Sequence, residues 1–292
     1  MSKTSFIKTI FIIFLFSVSI FAQKTEIEKI IKESKGTIGV AIKDLSNGKT
    51  LVFNKNHKFP MQSVYKFPLA MAVLHEVDKG KFALDQKILV TKKDLLPNTW
   101  SPMREKYPEG NVELTLAEIL SFTVSQSDNN GCDILFRLLG GTANVDKYIK
   151  SLGIKDMSIV ATEEEMHAAW DVQYTNWSKP KAMLKLLEIF NKGNKLSKSS
   201  NEFLWKIMTE TSTGPNRIKG FLPSDVSVAH KTGTSGTNAQ GITSAINDVG
   251  IVNLSNGKKF AIVVFVSNTP DDTKTAESII AKISKIMWDN LK

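Results

Sequence analysis

Ser63 and Lys66 stand three positions apart in the run Ser63-Val64-Tyr65-Lys66. If a helix starts at Ser63, positions i and i+3 share a face, and the lysine ammonium reaches the serine oxygen. A buried lysine with a lowered pKa would then take the serine proton and leave a competent nucleophile. The spacing alone says little, because it also begins at Ser5, Ser46, Ser178 and Ser255. Company singles out Ser63. Ser127-Asp128-Asn129 and Lys231-Thr232-Gly233 each occur once, in that order after it. The chemistry these residues spell is nucleophilic catalysis through serine.

The elements that must position them follow from the pattern of apolar residues. Thr25 to Lys35 reads as a helix, with Ile27, Ile30 and Ile31 on one face. Thr37 to Leu45 reads as a strand, Asn47-Gly48 as a hairpin turn, and Thr50 to Asn54 as the returning strand. From Ser63 to Met208 the patterns are mostly helical, with loops expected around Pro97 to Gly110 and Val160 to Trp177. Strands resume at Val226 to His230, Ala245 to Leu254 and Lys259 to Ser267, and Asn256-Gly257 turns between the last two. Asp271 to Leu291 closes the chain as an amphipathic helix with an acidic pair near its positive end. The expected fold is α/β in the α+β sense, a five-stranded antiparallel sheet covered by terminal helices, with an all-helical domain inserted. We expect residues 23–60 and 212–292 to build the sheet domain and residues 61–211 the helical one, with the active site at their interface.

Lys3 and Lys8 precede an apolar stretch from Ile10 to Ala22, the pattern of a secretory signal peptide over residues 1–22. That stretch falls short of the ~20 apolar residues that span a bilayer. The expected destination is the periplasm, without stable membrane association. The net charge of +9 falls to +7 without Lys3 and Lys8. The remaining lysines are scattered, which argues for a solvated basic surface and against a nucleic-acid partner. Such a surface gives an anionic substrate mild steering. Cys132 is the only cysteine, so no disulfide is available; it lies in an apolar helical stretch and reads as core. His57, His75, His167 and His230 show neither His-x-His nor His-Glu-x-x-His spacing, which disfavours a zinc enzyme. Met61, Met71 and Met103 read as core or wall, and the tryptophans at 170, 177, 205 and 288 as packing.

The three motifs together are an established signature of class A β-lactamases and penicillin-binding proteins. The chain resembles the class A serine β-lactamases, particularly the PER- and VEB-type extended-spectrum branch. Phe59-Pro60-Met61-Gln62-Ser63, Asn98-Thr99-Trp100 and Ser127 to Asp133 carry that resemblance. So do Thr213-Gly214-Pro215-Asn216-Arg217 and Ala229-His230-Lys231-Thr232-Gly233-Thr234-Ser235-Gly236. It implies hydrolysis of a β-lactam amide by a monomer, with no metal or organic cofactor. It also implies roles. The Ser63 and Thr234 N–H groups form an oxyanion hole, worth ~3 kcal/mol per donor. Lys231, Ser235 and Arg217 hold the substrate carboxylate. Ser127 passes a proton to the departing ring nitrogen, and Asn129 binds the side-chain amide. Thr232 and Gly233 belong to the strand edge that meets the substrate, where glycine permits close approach. Trp100 stands at the cleft mouth.

Within this resemblance a loop glutamate activates the water that clears the acyl-enzyme. The run Ala161-Thr162-Glu163-Glu164-Glu165-Met166-His167 places it at Glu163, with Glu164 next in line. His167 takes the place usually held by an asparagine beside that water. Ala161 and Thr162 replace the usual arginine and tryptophan, so the customary arginine–aspartate clamp of the loop is missing. Asp133 stands where an asparagine usually supports the glutamate. Two neighbouring carboxylates raise one pKa unless they share a proton or point apart. These departures belong to the branch named, which implies a preference for bulky cephalosporins. The alternative on the same trio is a D,D-peptidase, which normally lacks the loop glutamate. A β-lactam sensor that acylates without turnover is a further alternative. The membrane anchor, extra domain or transmembrane relay of those proteins is not expected here.

Overall fold

The computed structural model describes residues 22–292, so the expected leader lies outside the described residues except for Ala22. Helix α1 covers residues 22–33 and leads into the hairpin of β1 (Thr37–Asp44) and β2 (Thr50–Phe53). The short strand β3 (Phe59–Pro60) precedes a 3-10 turn at Gln62–Tyr65, which continues into α2 (Lys66–Asp78). Then come β4 (Lys87–Val90), α3 (Pro102–Lys106), β5 (Val112–Thr115), α4 (Leu116–Ser125), α5 (Asn129–Leu139) and α6 (Thr142–Ser151). A loop holding β6 (Met157–Ser158), α7 (Glu163–Ala168) and β7 (Trp177–Ser178) follows, ahead of α8 (Pro180–Lys192) and α9 (Lys198–Thr209). The chain returns to the sheet with β8 (Ser227–Thr234), β9 (Thr243–Asn253) and β10 (Lys259–Thr269), and ends in α10 (Thr273–Leu291).

The large sheet has five antiparallel strands in the order β2-β1-β10-β9-β8, as expected. Its period of two buries both faces. Val40, Ile42, Ile262 and Val264 pack with Ile27 of α1 and with Ile279, Ile280 and Ile283 of α10. Ala41, Val263 and Phe265 turn to the other face, where Phe59, Met183 and Leu187 belong to the larger core. Helix α2 runs through that core and is buried continuously from Lys66 to Leu74, so the lysine enters the interior with the helix. Met61, Met71, Met103 and Cys132 are fully buried there. At α10 the acidic pair divides its work. Asp272 caps the Thr275 N–H at 2.6 Å, while Asp271 accepts from Ser34 Oγ and the Lys35 N–H beyond the end of α1.

Two sequence expectations need correction. The strand expected to stop at His230 runs on through Thr234, because Lys231 to Thr234 keep register with Val249 to Ile246 of β9. The expected loops contain α3, α7 and a 3-10 turn at Trp170–Tyr174, and the stretch expected to be mostly helical also holds the β4–β5 pair and strands of a β3-β7-β6 ribbon. Elements of two to six residues are too short for hydrophobic periodicity to declare them.

Candidate active site

Ser63 sits in the 3-10 turn before α2, and Lys66 Nζ donates to its Oγ at 2.9 Å. The expected shared face is present. Lys66 does not lie in an apolar setting, however. Its ammonium also approaches Ser127 O at 2.8 Å, Asn129 Oδ1, and Glu163 Oε1 at 2.9 Å. Three protons thus meet four acceptors. The Glu163 contact has ion-pair distance but poor hydrogen-bond alignment, so that carboxylate oxygen keeps acceptor capacity. Gln62, just before the nucleophile, holds φ at +48°, a conformation rare outside glycine, and its amide donates to Gln173 Oε1 at 2.6 Å.

The Ser127-Asp128-Asn129 motif divides into two projecting side chains and one anchor. Asp128 is fully buried and accepts from the N–H groups of Gly131 (2.8 Å) and Met103 (2.7 Å) and from Ser101 Oγ (2.9 Å). It caps α5 and ties α3 to it. Burial raises its pKa, with those hydrogen bonds pulling the other way. Ser127 then sits at φ +62° with its Oγ accepting from Lys231 Nζ at 2.9 Å. Asn129 joins Lys66, through Oδ1, to Thr99 Oγ1, through Nδ2 at 2.6 Å. One lone pair and one proton of its amide stay unused by these bonds.

Strand β8 is an edge of the sheet, and its register aims the backbone. The Ser235 N–H bonds Ala245 O, so the odd residues of β8 face β9 and the even ones turn their N–H and C=O outward. Thr232 and Thr234 therefore present main-chain groups on the side of the nucleophile. Gly233 is required by close approach. A Cβ there would lie 2.4 Å from Met61 O and 3.1 Å from Val64 N, inside the turn that carries Ser63.

Glu163 opens α7, where Thr162 and Glu165 form a capping box. Asp133 reaches across from α5 and accepts the Glu163 N–H at 2.8 Å and the Glu164 N–H at 3.0 Å, one on each oxygen. The two carboxylates point apart, Asp133 toward backbone and Glu163 toward Lys66. Burial pushes the Asp133 pKa up to about 6, and the Glu163 charge adds to the rise. A clamp does hold the loop, but it is an amide. Fully buried Asn176 accepts from the Val160 and Ala161 N–H groups at 2.8 and 3.0 Å and donates to Ala161 O at 2.8 Å. Sequence reasoning missed Asn176, Gln173 and Gln62, whose partners lie far along the chain.

A cleft of about 870 Å³ is lined by nine of the expected residues: Ser63, Trp100, Ser127, Asn129, Glu163, Thr232, Gly233, Thr234 and Ser235. Trp100 is 57 % exposed, with its Nε1 donating to Gln126 O. His167 lines the same cleft, one helical turn beyond Glu163. Trp170, expected as packing, also stands on this wall, beside Met166. The other three expected residues are cations buried beneath the lining: Lys66 and Lys231 fully, Arg217 at 4 % exposure. Arg217 lies behind Thr234. Its guanidinium is used by Glu277 (3.1 Å), by the carbonyls of Gly233 (3.2 Å) and Asn247 (2.9 Å), and by Thr234 Oγ1 (2.7 Å). It reaches the cleft only through that hydroxyl. Lys231 bonds Ser127 Oγ and Thr232 O, and burial, with the Lys66 charge adding to it, holds its pKa well below the usual lysine value.

The site, then, is a serine hydrogen-bonded to the lysine of a buried lysine–glutamate ion pair at the edge of an antiparallel sheet, the arrangement of a serine acyl-transferring hydrolase. Residues 22–291 match the β-lactamase enzyme family. The chain belongs to that family, in its class A. It is 51 % identical over 266 residues to β-lactamase VEB-1 of Pseudomonas aeruginosa, covering 90 % of this chain and 88 % of that one. It is 44 % identical to the extended-spectrum β-lactamase PER-1 of the same species, with 91 % and 86 % covered. The crystal structure of a β-lactamase from Chitinophaga pinensis superposes with a TM-score of 0.91 at 56 % identity, covering 93 % of this chain and all of that one.

Proposed function

We propose that this chain hydrolyses the β-lactam amide of penicillins and cephalosporins through an acyl-serine on Ser63, and so confers antibiotic resistance. The observation that carries the reading is Lys66 Nζ at 2.9 Å from both Ser63 Oγ and Glu163 Oε1. Lys66 first gives one of its protons to Glu163 and, then neutral, takes the proton that leaves Ser63, so that the net transfer runs from Ser63 Oγ through Nζ to the carboxylate. The Ser63 and Thr234 N–H groups receive the developing oxyanion. Ser127, gripped by Lys231, returns a proton to the ring nitrogen as the amide bond breaks. The substrate carboxylate meets the hydroxyls of Thr234 and Ser235, with Lys231 and Arg217 supplying positive charge from beneath. Asn129 offers its remaining lone pair and proton to the side-chain amide. Glu163 then takes a proton from the water that attacks the ester, with His167 beside that water.

Extended-spectrum cephalosporins are the preferred substrates on this reading, supported by the likeness to PER-1 and by the volume of the cleft. The D,D-peptidase alternative is not favoured, since the relatives named are β-lactamases and the loop glutamate is present. The protein acts as a monomer in the periplasm after losing residues 1–22. Among the described residues no helix is long and apolar enough to cross a membrane.

Turnover of a chromogenic cephalosporin by wild type and by Glu163→Gln tests the proposal. Rapid multiple turnover by wild type is expected, with the variant halting as a covalent adduct on Ser63 that mass spectrometry detects. A single stoichiometric burst from wild type would overturn it.

A further inference from the structure

His230 and Asp248 are both fully buried behind the carboxylate-binding edge, and none of the steps above uses them. The imidazole Nδ1 lies 2.9 and 3.0 Å from the two oxygens of Asp248. An ionised carboxylate only accepts, so the bonding pattern assigns the proton to Nδ1. Space for the ring pair has been cleared across the sheet. His230 pairs with Gly250 of β9, where an added Cβ would lie 2.7 Å from His230 Cβ and 2.5 Å from Ala229 O.

The same carboxylate has a third task. Asp248 Oδ2 accepts the Ile218 N–H at 3.1 Å, and Ile218 directly follows Arg217. Its neighbour Asn247 receives Arg217 on its carbonyl and donates its side-chain amide to Pro60 O and Met61 O. Consecutive residues of β9 therefore fix both the turn before Ser63 and the turn that carries Arg217. The Nδ1–H of His230 orients the Asp248 carboxylate, so that Oδ2 stays aimed at the Ile218 N–H. Without that donor, buried Asp248 would lose the hydrogen bond that both of its oxygens share.

We infer that His230 and Asp248 are positioning residues for substrate-carboxylate recognition: they lock Ile218, and with it the Arg217 guanidinium that holds Thr234 Oγ1. This inference rests on the proposed β-lactamase reading. It assigns the pair an effect on how the anionic end of the substrate is held, leaving the Ser63–Lys66–Glu163 chemistry intact.

The test compares a cephalosporin bearing its free carboxylate with the methyl ester of the same compound, on wild type, His230→Ala and His230→Asn. The amide nitrogen of asparagine falls near Nδ1 and keeps the donor to Asp248. His230→Ala is expected to raise KM for the acid about tenfold, with kcat within about twofold and the ester unaffected. His230→Asn should restore wild-type KM. If His230→Ala does not fold, Asp248→Asn, which loses the charge and one acceptor at constant shape, takes its place with the same expected split. Equal loss on acid and ester, or a fall in kcat alone, would overturn the inference. A wild type that turns over neither compound would instead sink the β-lactamase reading.

Discussion

Strand β8 and the loop of residues 157–178 border the same cleft, and they are held by opposite means. The strand wall is main chain: register with β9 aims Thr232 and Thr234 outward, and a missing Cβ at Gly233 lets the nucleophile turn close against it. The loop wall is pinned by single side chains: Asn176 and Asp133 close onto backbone, and Gln173 accepts from the Gln62 side chain beside the nucleophile. A backbone wall tolerates almost no substitution at its contact point. A side-chain wall accepts alternative devices, and here the device is the amide of Asn176.

The largest break in that contrast should come from the strand. Gly233→Ala forces a Cβ into a gap of 2.4 Å from Met61 O, and the displaced turn should lower kcat roughly 100-fold. Steady-state kinetics on folded protein checks this, and an unchanged kcat would show the turn to be compliant. Asn176→Ala should act on stability first. It leaves the buried N–H and carbonyl of Ala161 and the part-buried N–H of Val160 unpaired, a cost of about 2–4 kcal/mol by urea unfolding, with deacylation slowed more than acylation in single-turnover assays.

Asp133→Asn sharpens the comparison by pH. The folded pKa of Asp133, about 6, lies above its ordinary value of 3.8, so the native state favours the protonated acid. Its contribution is complete below pH 4 and is lost as pH rises through 6. Wild type and variant should match near pH 4. By pH 7 the wild type should fall behind by up to about 3 kcal/mol. A gap that stays flat from pH 4 to 7 would mean that Asp133 titrates normally and that the pair of N–H bonds outweighs burial.

What the sequence disclosed follows the same division. Ser63 with Lys66 fits one helical turn, and Lys231 to Ser235 fits one strand, so short motifs carried their geometry. The antiparallel sheet was legible because most of its strands are apolar, β-branched-rich runs of four to eleven residues, two pairs of which turn at Asn-Gly. Asn176 and Gln173 look like ordinary polar loop residues, since nothing nearby names their partners. Arg217 was recognised as part of the site, but its direction depends on Glu277, which only the docking of α10 brings near. The lowered pKa of Lys231 was not legible either, because burial without a carboxylate in contact is a property of the fold and not of the spacing.

Lys66 carries one last consequence. With three protons and four acceptors around one nitrogen, no single hydrogen-bond pattern satisfies every neighbour. Such a site is frustrated in the sense used for magnets: several arrangements lie close in energy and none wins outright. The resting enzyme is then a small set of interchanging proton patterns, and the one in which Ser63 is ready to react is a member of that set. Catalysis begins by selecting among arrangements that thermal motion already visits.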